Sequence, residues 1–155
     1  MPPEETAITS TTDALPAKPI PVVDEASRPF FDGALQGLLM LRRCCSCGTF
    51  MWPVAGIRTP LRPRCVECFS GDLEWAPSSG KGTLYSFAIM HQVYDPAFAA
   101  EIPYNISLIE LEEGVRMTCT VVDCANDELR IGMPLEVIFE KLSDDIAIPK
   151  FKPSA

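Results

Sequence analysis

The sequence predicts a mainly β chain. It has an N-terminal helix, a rubredoxin-like ribbon built around paired cysteines, and a C-terminal five-stranded barrel. Three observations lead there. Four of the seven cysteines form two Cys-x-x-Cys pairs, Cys44/Cys47 and Cys65/Cys68. After residue 80 the chain breaks into five short β-prone stretches with no long helical pattern between them. The clearest helical periodicity lies before the cysteines. The boundaries that follow are a flexible arm over 1–24, a helical segment over 25–41, the ribbon over 42–76 and the barrel over 77–155.

Each element has a local reason. The arm is rich in Thr, Ser, Ala and Pro, and Pro16, Pro19 and Pro21 break any helix. It carries too little apolar surface to offset the entropy of ordering. From Asp24 to Met40, Phe30, Phe31, Ala34, Leu35, Leu38 and Leu39 recur at helical offsets. Asp24 or Ser27 can cap this helix and Pro29 suits its first turn, while Gly33 and Gly37 weaken it by about 1 kcal/mol each relative to Ala. The strands are expected at Gly82–Gln92, Tyr104–Glu112, Val115–Asp123, Pro134–Lys141 and Ile146–Phe151. The second places Ser107, Ile109 and Leu111 on one face; the fourth sets Leu135, Val137 and Phe139 against Glu136, Ile138 and Glu140. Gly114 supplies a turn and Leu129–Met133 another. Five short strands at this spacing fit an OB-type barrel.

Composition excludes several classes. The 155 residues carry a formal charge of −8. No run approaches the ~20 apolar residues of a membrane span. The N-terminus lacks the basic flank and apolar core of a secretory signal. Together with an odd cysteine count, this argues against a secreted disulfide scaffold and for the reducing cytoplasm. The charge is uneven, with a net of −3 over residues 1–30, +3 over 31–68 and −8 over 69–155. A basic ribbon therefore sits inside an acidic protein.

Seventeen residues separate Cys47 from Cys65. This is the Cys-x2-Cys…Cys-x2-Cys spacing of a zinc site, in which each pair brings two sulfurs to one ion at about 2.3 Å. Gly48 permits the tight turn after the first pair. Four thiolates leave no open coordination position, so the metal is structural rather than catalytic. A redox Cys-x-x-Cys usually occurs once, near a βαβ pattern that is absent here. Cys45 is a bystander, because pairing it with Cys47 leaves only one residue between the ligands. Cys119 and Cys124 read as small buried residues.

The order of motifs resembles a known family. A helical lead precedes Arg43-Cys44-x-x-Cys47-Gly48, Pro53 and Pro63-Arg64-Cys65-x-x-Cys68. Then come Glu74-Trp75, Ser79-Gly80-Lys81-Gly82-Thr83-Leu84-Tyr85-Ser86, Ile102-Pro103-Tyr104 and Glu110–Arg116. Ile131-Gly132-Met133 and a Pro149-x-Phe151-x-Pro153 tail complete the set. Over residues 25–153 this is similar to the zinc-ribbon/OB-fold family catalogued as domain of unknown function 35. The resemblance implies a small accessory subunit of an acyl-CoA enzyme. Its implied partner is a thiolase-fold protein (a thiolase or a retro-aldolase) or, for some members, a hot-dog hydratase. The partner would carry the catalytic cysteine and histidines, and the small subunit would support the hetero-oligomer and help form the CoA-binding region. Members occur in the degradation of steroid side chains and aromatic compounds, and in archaeal mevalonate synthesis.

The residues are compatible with that role. His91 is the one histidine, and no nucleophile has a base near it in sequence. The CoA phosphates suit arginine forks, so Arg42, Arg43, Arg58, Arg62 and Arg64 are the candidate CoA contacts. The long connection His91–Tyr104 offers Tyr94, Phe98, Ile102 and Tyr104 to a partner or an acyl channel, while His91 itself reads as a satisfied structural histidine. Trp52 and Trp75 read as packing between ribbon and barrel. Two other classes remain in view: a single-strand nucleic-acid binder, which the barrel's charge opposes, and a scaffold without a ligand.

Overall fold

A computed structural model describes residues 17–53 and 62–155. Most of the expected arm, residues 1–16, and the candidate Arg58 lie outside the described residues.

The helix is shorter than its periodicity predicts. Helix α1 spans Arg28–Leu35. Pro29 occupies the first turn, and just before it Asp24 and Ser27 exchange side-chain-to-backbone hydrogen bonds at 2.7 and 3.1 Å. Gly37 stops the helix by turning left-handed at φ 77°. The Leu38 and Gly37 amides then close back on the Gly33 and Ala34 carbonyls at 2.8 and 3.1 Å. This terminating motif satisfies the last free carbonyls of the helix. Leu38–Met40 are thereby released from the helix and the chain enters strand β1.

The ribbon is a three-stranded antiparallel sheet of β1 (Met40–Cys44), β2 (Phe50–Met51) and β3 (Leu73–Pro77), with β1 in the centre. The barrel comprises β4 (Lys81–Met90), β5 (Tyr104–Leu111), β6 (Arg116–Cys119), β7 (Pro134–Lys141) and β8 (Ala147–Pro153). Their order is β6-β5-β4-β7-β8 and every pairing is antiparallel. This mainly β, five-stranded curled sheet is the OB-type architecture expected. Four of its strands begin or end within two residues of the sequence reading. The third is cut from nine residues to Arg116–Cys119, because the chain leaves the sheet at Thr120. In β5 alternate residues face inward as expected, with Ser107, Ile109 and Leu111 all buried. The register of β4 shifts between Leu84 and Ser86, a bulge that adds curl to the sheet.

One core serves both sheets. Leu39 and Leu41, at the start of the ribbon, are 1% and 0% exposed and pack with Leu84, Ile109, Leu135 and Phe151 of the barrel. Trp52 lies against the same core and edge-on to Phe30, with ring centroids 5.7 Å apart. The expected packing role thus fits Trp52. Trp75 instead stays within the ribbon sheet, opposite Arg42.

The sheet closes without a full strand pairing. Between the end strands β6 and β8 there is a single bridge, Val121 with Phe151. Asn105 supplies the missing partner on the inner side. Its amide donates to the Val121 carbonyl and its carbonyl accepts from the Val121 N–H, both at 2.8 Å. The Ser107 hydroxyl donates to the same Asn105 oxygen at 2.9 Å. Asn105 and Ser107 are 4% and 0% exposed, and they are the buried polar residues of the described core. An amide can both donate and accept, so it reproduces the two bonds of a neighbouring backbone. Asn105→Ala should leave both Val121 groups unpaired in the interior and destabilise the fold by about 2–4 kcal/mol. Urea unfolding should then show a lower midpoint with an unchanged slope.

Candidate metal centre and the surface around it

The two cysteine pairs sit on two turns of like geometry. In the first, the Gly48 amide donates to the Cys44 carbonyl and the Cys44 amide to the Thr49 carbonyl, at 2.8 and 2.9 Å. In the second, the Phe69 amide donates to the Cys65 carbonyl and the Cys65 amide to the Ser70 carbonyl, at 3.2 and 2.8 Å. Gly48 and Phe69 occupy the same left-handed position, at φ 77° and 59°. Such a conformation costs a residue with a Cβ roughly 1–2 kcal/mol. The second turn carries that strain on a phenylalanine that is 70% exposed.

Both turns point their sulfurs at one place. The Sγ atoms of Cys44, Cys47, Cys65 and Cys68 lie within 4.8 Å of one another. The Cys44–Cys68 and Cys47–Cys65 separations are 3.6 Å. A tetrahedron with bonds of about 2.3 Å to sulfur sets its corners about 3.8 Å apart, so four thiolates here fit an ion the size of zinc. Cys44 and Cys65 are buried beside Met51 and Leu73, while Cys47 and Cys68 face outward. Cys45 is exposed and outside the cluster. The cluster is thus able to hold a metal such as zinc.

Its electrostatics favour a cation. The Thr49 hydroxyl and amide lower the Cys47 thiol to about 6. The Ser70 amide pulls Cys68 the same way, yet the crowding thiols of Cys44 and Cys47 push it up to about 12. Four sulfurs this close cannot all be ionised unless a positive charge lies between them.

The arginines do not form one surface. Arg42 and Arg43 are adjacent on β1 and so face opposite sides of the ribbon sheet. The Arg43 guanidinium lies 3.7 Å from Glu74 and over the Phe50 ring at 5.9 Å. Arg42 lies over Trp75 at 5.3 Å and donates to the Leu73 carbonyl at 3.4 Å. Its Nε is buried without a hydrogen-bond partner. Arg64 is exposed and donates to the Phe69 carbonyl at 3.2 Å; Arg62 is half-buried.

The His91–Tyr104 connection is more ordered than a loop. Asp95 caps a 3-10 helix over Pro96–Glu101, accepting from the Ala97 amide at 2.9 Å. This turns Phe98 toward Tyr104, with ring centroids 6.5 Å apart, and leaves Tyr94 exposed. His91 is exposed rather than packed, because β4 has already ended at Met90. Cys119 and Cys124 are half-buried against the core, in keeping with a packing role. Asn105 escaped the sequence reading. Its signal was a pair of polar residues, Asn105 and Ser107, on the strand face whose other inward residues, Ile109 and Leu111, are apolar.

Two substitutions separate ligand from bystander. Cys65→Ser should abolish zinc retention and lower thermal stability. Cys45→Ser should keep about one zinc per chain, since four ligands complete the tetrahedron without it. Elemental analysis and melting curves of the purified chains check both.

Comparison with known proteins places the chain. Residues 75–140 match the family described as ChsH2, C-terminal OB-fold domain. A DUF35 domain-containing scaffold protein of Methanocaldococcus jannaschii is 37% identical over 66% of this chain and 68% of its own length. A probable enoyl-CoA hydratase alpha subunit of Thermomonospora curvata is 32% identical over 88% of this chain; the match spans 40% of that longer protein. Among solved structures, a chain of the "Ltp2-ChsH2(DUF35) aldolase" is 32% identical with a TM-score of 0.71, covering 88% of this chain and all of that one. A four-sulfur ribbon joined through one core to an OB barrel, together with these relatives, identifies the chain as a member of the DUF35 family, with a C-terminal OB-fold domain of the ChsH2 type.

Proposed function

We propose that this chain is a non-catalytic, zinc-containing subunit of a thiolase-like acyl-CoA enzyme. Within it the chain supports assembly and contributes to the CoA-binding region. The observation that carries this reading is the likeness to the DUF35 chain of the Ltp2-ChsH2 aldolase over that chain's entire length. The partner would perform either thiolysis of a 3-oxoacyl-CoA or retro-aldol cleavage of a 3-hydroxyacyl-CoA. In the retro-aldol case the bond between the α and β carbons breaks. The β-hydroxyl proton passes to a base of the partner, the β carbon becomes a carbonyl, and the acyl-CoA enolate takes up a proton.

The chain's own chemistry supports a subunit role. Its four clustered thiols form a closed ligand set, and its histidine is exposed away from them. The ribbon supplies cationic side chains, while residues 69–155, at −8, are poorly suited to a nucleic-acid backbone. Among the described arginines, Arg42 is the best-placed phosphate contact, because it is held over Trp75 and, unlike Arg43, has no carboxylate beside it among the described residues. Arg43 is already near Glu74. A cluster of four cysteines suited to a metal rather than to disulfides fits a reducing, cytoplasmic setting.

A second reading, a subunit of an enoyl-CoA hydratase, is favoured by the name of the Thermomonospora relative. Co-expression with a thiolase-fold protein encoded beside it, followed by assays of aldol cleavage, thiolysis and hydration, separates the two. We expect a stable complex whose cleavage or thiolysis needs both chains. Hydration alone would favour the second reading, and a partner equally active alone would overturn both. Within the complex, Arg42→Ala should weaken CoA binding about tenfold, the scale of one charge-assisted hydrogen bond. Arg43→Ala should change it less, and calorimetry with CoA measures both.

A further inference from the structure

The barrel seam opens into a slot. Beyond the Val121–Phe151 bridge, Met117–Thr120 of the β6 side and Ile148–Lys150 of β8 do not pair as strands, and a cavity of about 330 Å³ lies along them. Phe30, Phe31 and Trp52 form its other wall. A second cavity of about 290 Å³ continues on the far side, walled by Phe98, Tyr104 and Leu142. Thr120, Ile148 and Lys150 line both, so the two adjoin along these residues. The N-terminal segment crosses above, with Lys18 and Pro19 at one cavity and Pro21 at the other.

The lining has a definite chemistry. Its walls are aromatic and aliphatic. The charges at its rim are already matched within the chain: Lys18 pairs with Glu101 and lies over the Phe98 ring, and Lys150 pairs with Glu140. Cys119, on the floor, donates to the Pro149 carbonyl at 3.1 Å, and burial raises its thiol to about 11, so it adds no charge at neutral pH. An anionic or cationic ligand would gain no free counter-charge here and would displace existing pairs. Ligand pockets commonly begin near 300 Å³. Two such spaces adjoining along the seam suit a chain or fused ring rather than a compact group.

We propose that this slot is a binding site for an uncharged, elongated hydrocarbon group. It is formed by this chain alone, so it stands apart from the CoA reading and is tested without a partner.

The test is titration of the zinc-loaded full chain with 1-octanol, followed by methyl NMR. Saturable shifts are expected at Ile148, Leu142 and Met117, with the exposed Ile131 methyl as a control. Thr120→Phe places a ring where the two cavities adjoin and should weaken binding about tenfold, as when two methylenes stay in water. If that variant does not fold, Phe98→Ala, which removes one wall, should weaken binding by about threefold, roughly one methylene's worth. Absence of saturation up to the solubility limit would overturn the proposal. Shifts as large at Ile131 as in the slot, or affinity unchanged in the folded variants, would overturn it equally.

Discussion

The structure depends on the burial of Leu39 and Leu41 in the barrel. Both follow the end of α1 and enter a core otherwise built from the five barrel strands and the connecting residues Val115, Val121 and Leu129. Full burial of a leucine is worth about 1.5–3 kcal/mol, so the pair holds the ribbon against the barrel more firmly than any surface contact between them. The remaining ties reinforce this junction. The Ser78 amide donates to the Leu39 carbonyl at 2.8 Å. Glu113, on the turn after β5, accepts from the Ser78 hydroxyl at 2.9 Å and the Ser79 amide at 2.5 Å. Strand β1 therefore begins in the barrel core and ends at Cys44 in the sulfur cluster. Within five residues the chain passes from an oil-like interior to a site built for a cation.

That arrangement divides labour along one strand. Small domains often need a metal because their apolar core is too thin to offset chain entropy. Among the described residues of the ribbon, Met51 and Leu73 are packed against two cysteines. The barrel has a broad core and needs no such help. Arg42 and Arg43 lie between these regimes, one flattened on Trp75 and one beside Glu74. The basic character of the ribbon is thus spread over two faces, and each face offers a different neighbourhood to an anion or a partner.

Much of the architecture was legible in the sequence because its signals are local. The Cys-x-x-Cys spacing is a direct consequence of how far two sulfurs can reach, and alternation marks the strands because their side-chain period is two. The helix was overextended because apolar spacing continues through Leu38 and Leu39, whereas Gly37 ends it by backbone geometry that periodicity does not register. The third strand was overextended for a different reason. Its residues are good β-formers, but beyond Cys119 the partners are the Asn105 side chain, sixteen residues away in sequence, and the single residue Phe151, rather than a continuing strand. The seam slot was invisible for the same reason: it is assembled from α1, Trp52, β6, β8 and the N-terminal segment, which share no local pattern.

The left-handed phenylalanine has a consequence for how the ribbon is seen from outside. Its two turns repeat the same hydrogen bonds, so the backbone of the tip is close to twofold symmetric about the sulfur cluster. A surface reading only that backbone would meet two nearly equivalent orientations. Gly48 presents no side chain at the shared position, whereas Phe69 projects a ring into solvent. One strained aromatic thus breaks the degeneracy and gives a pseudo-symmetric tip a single direction.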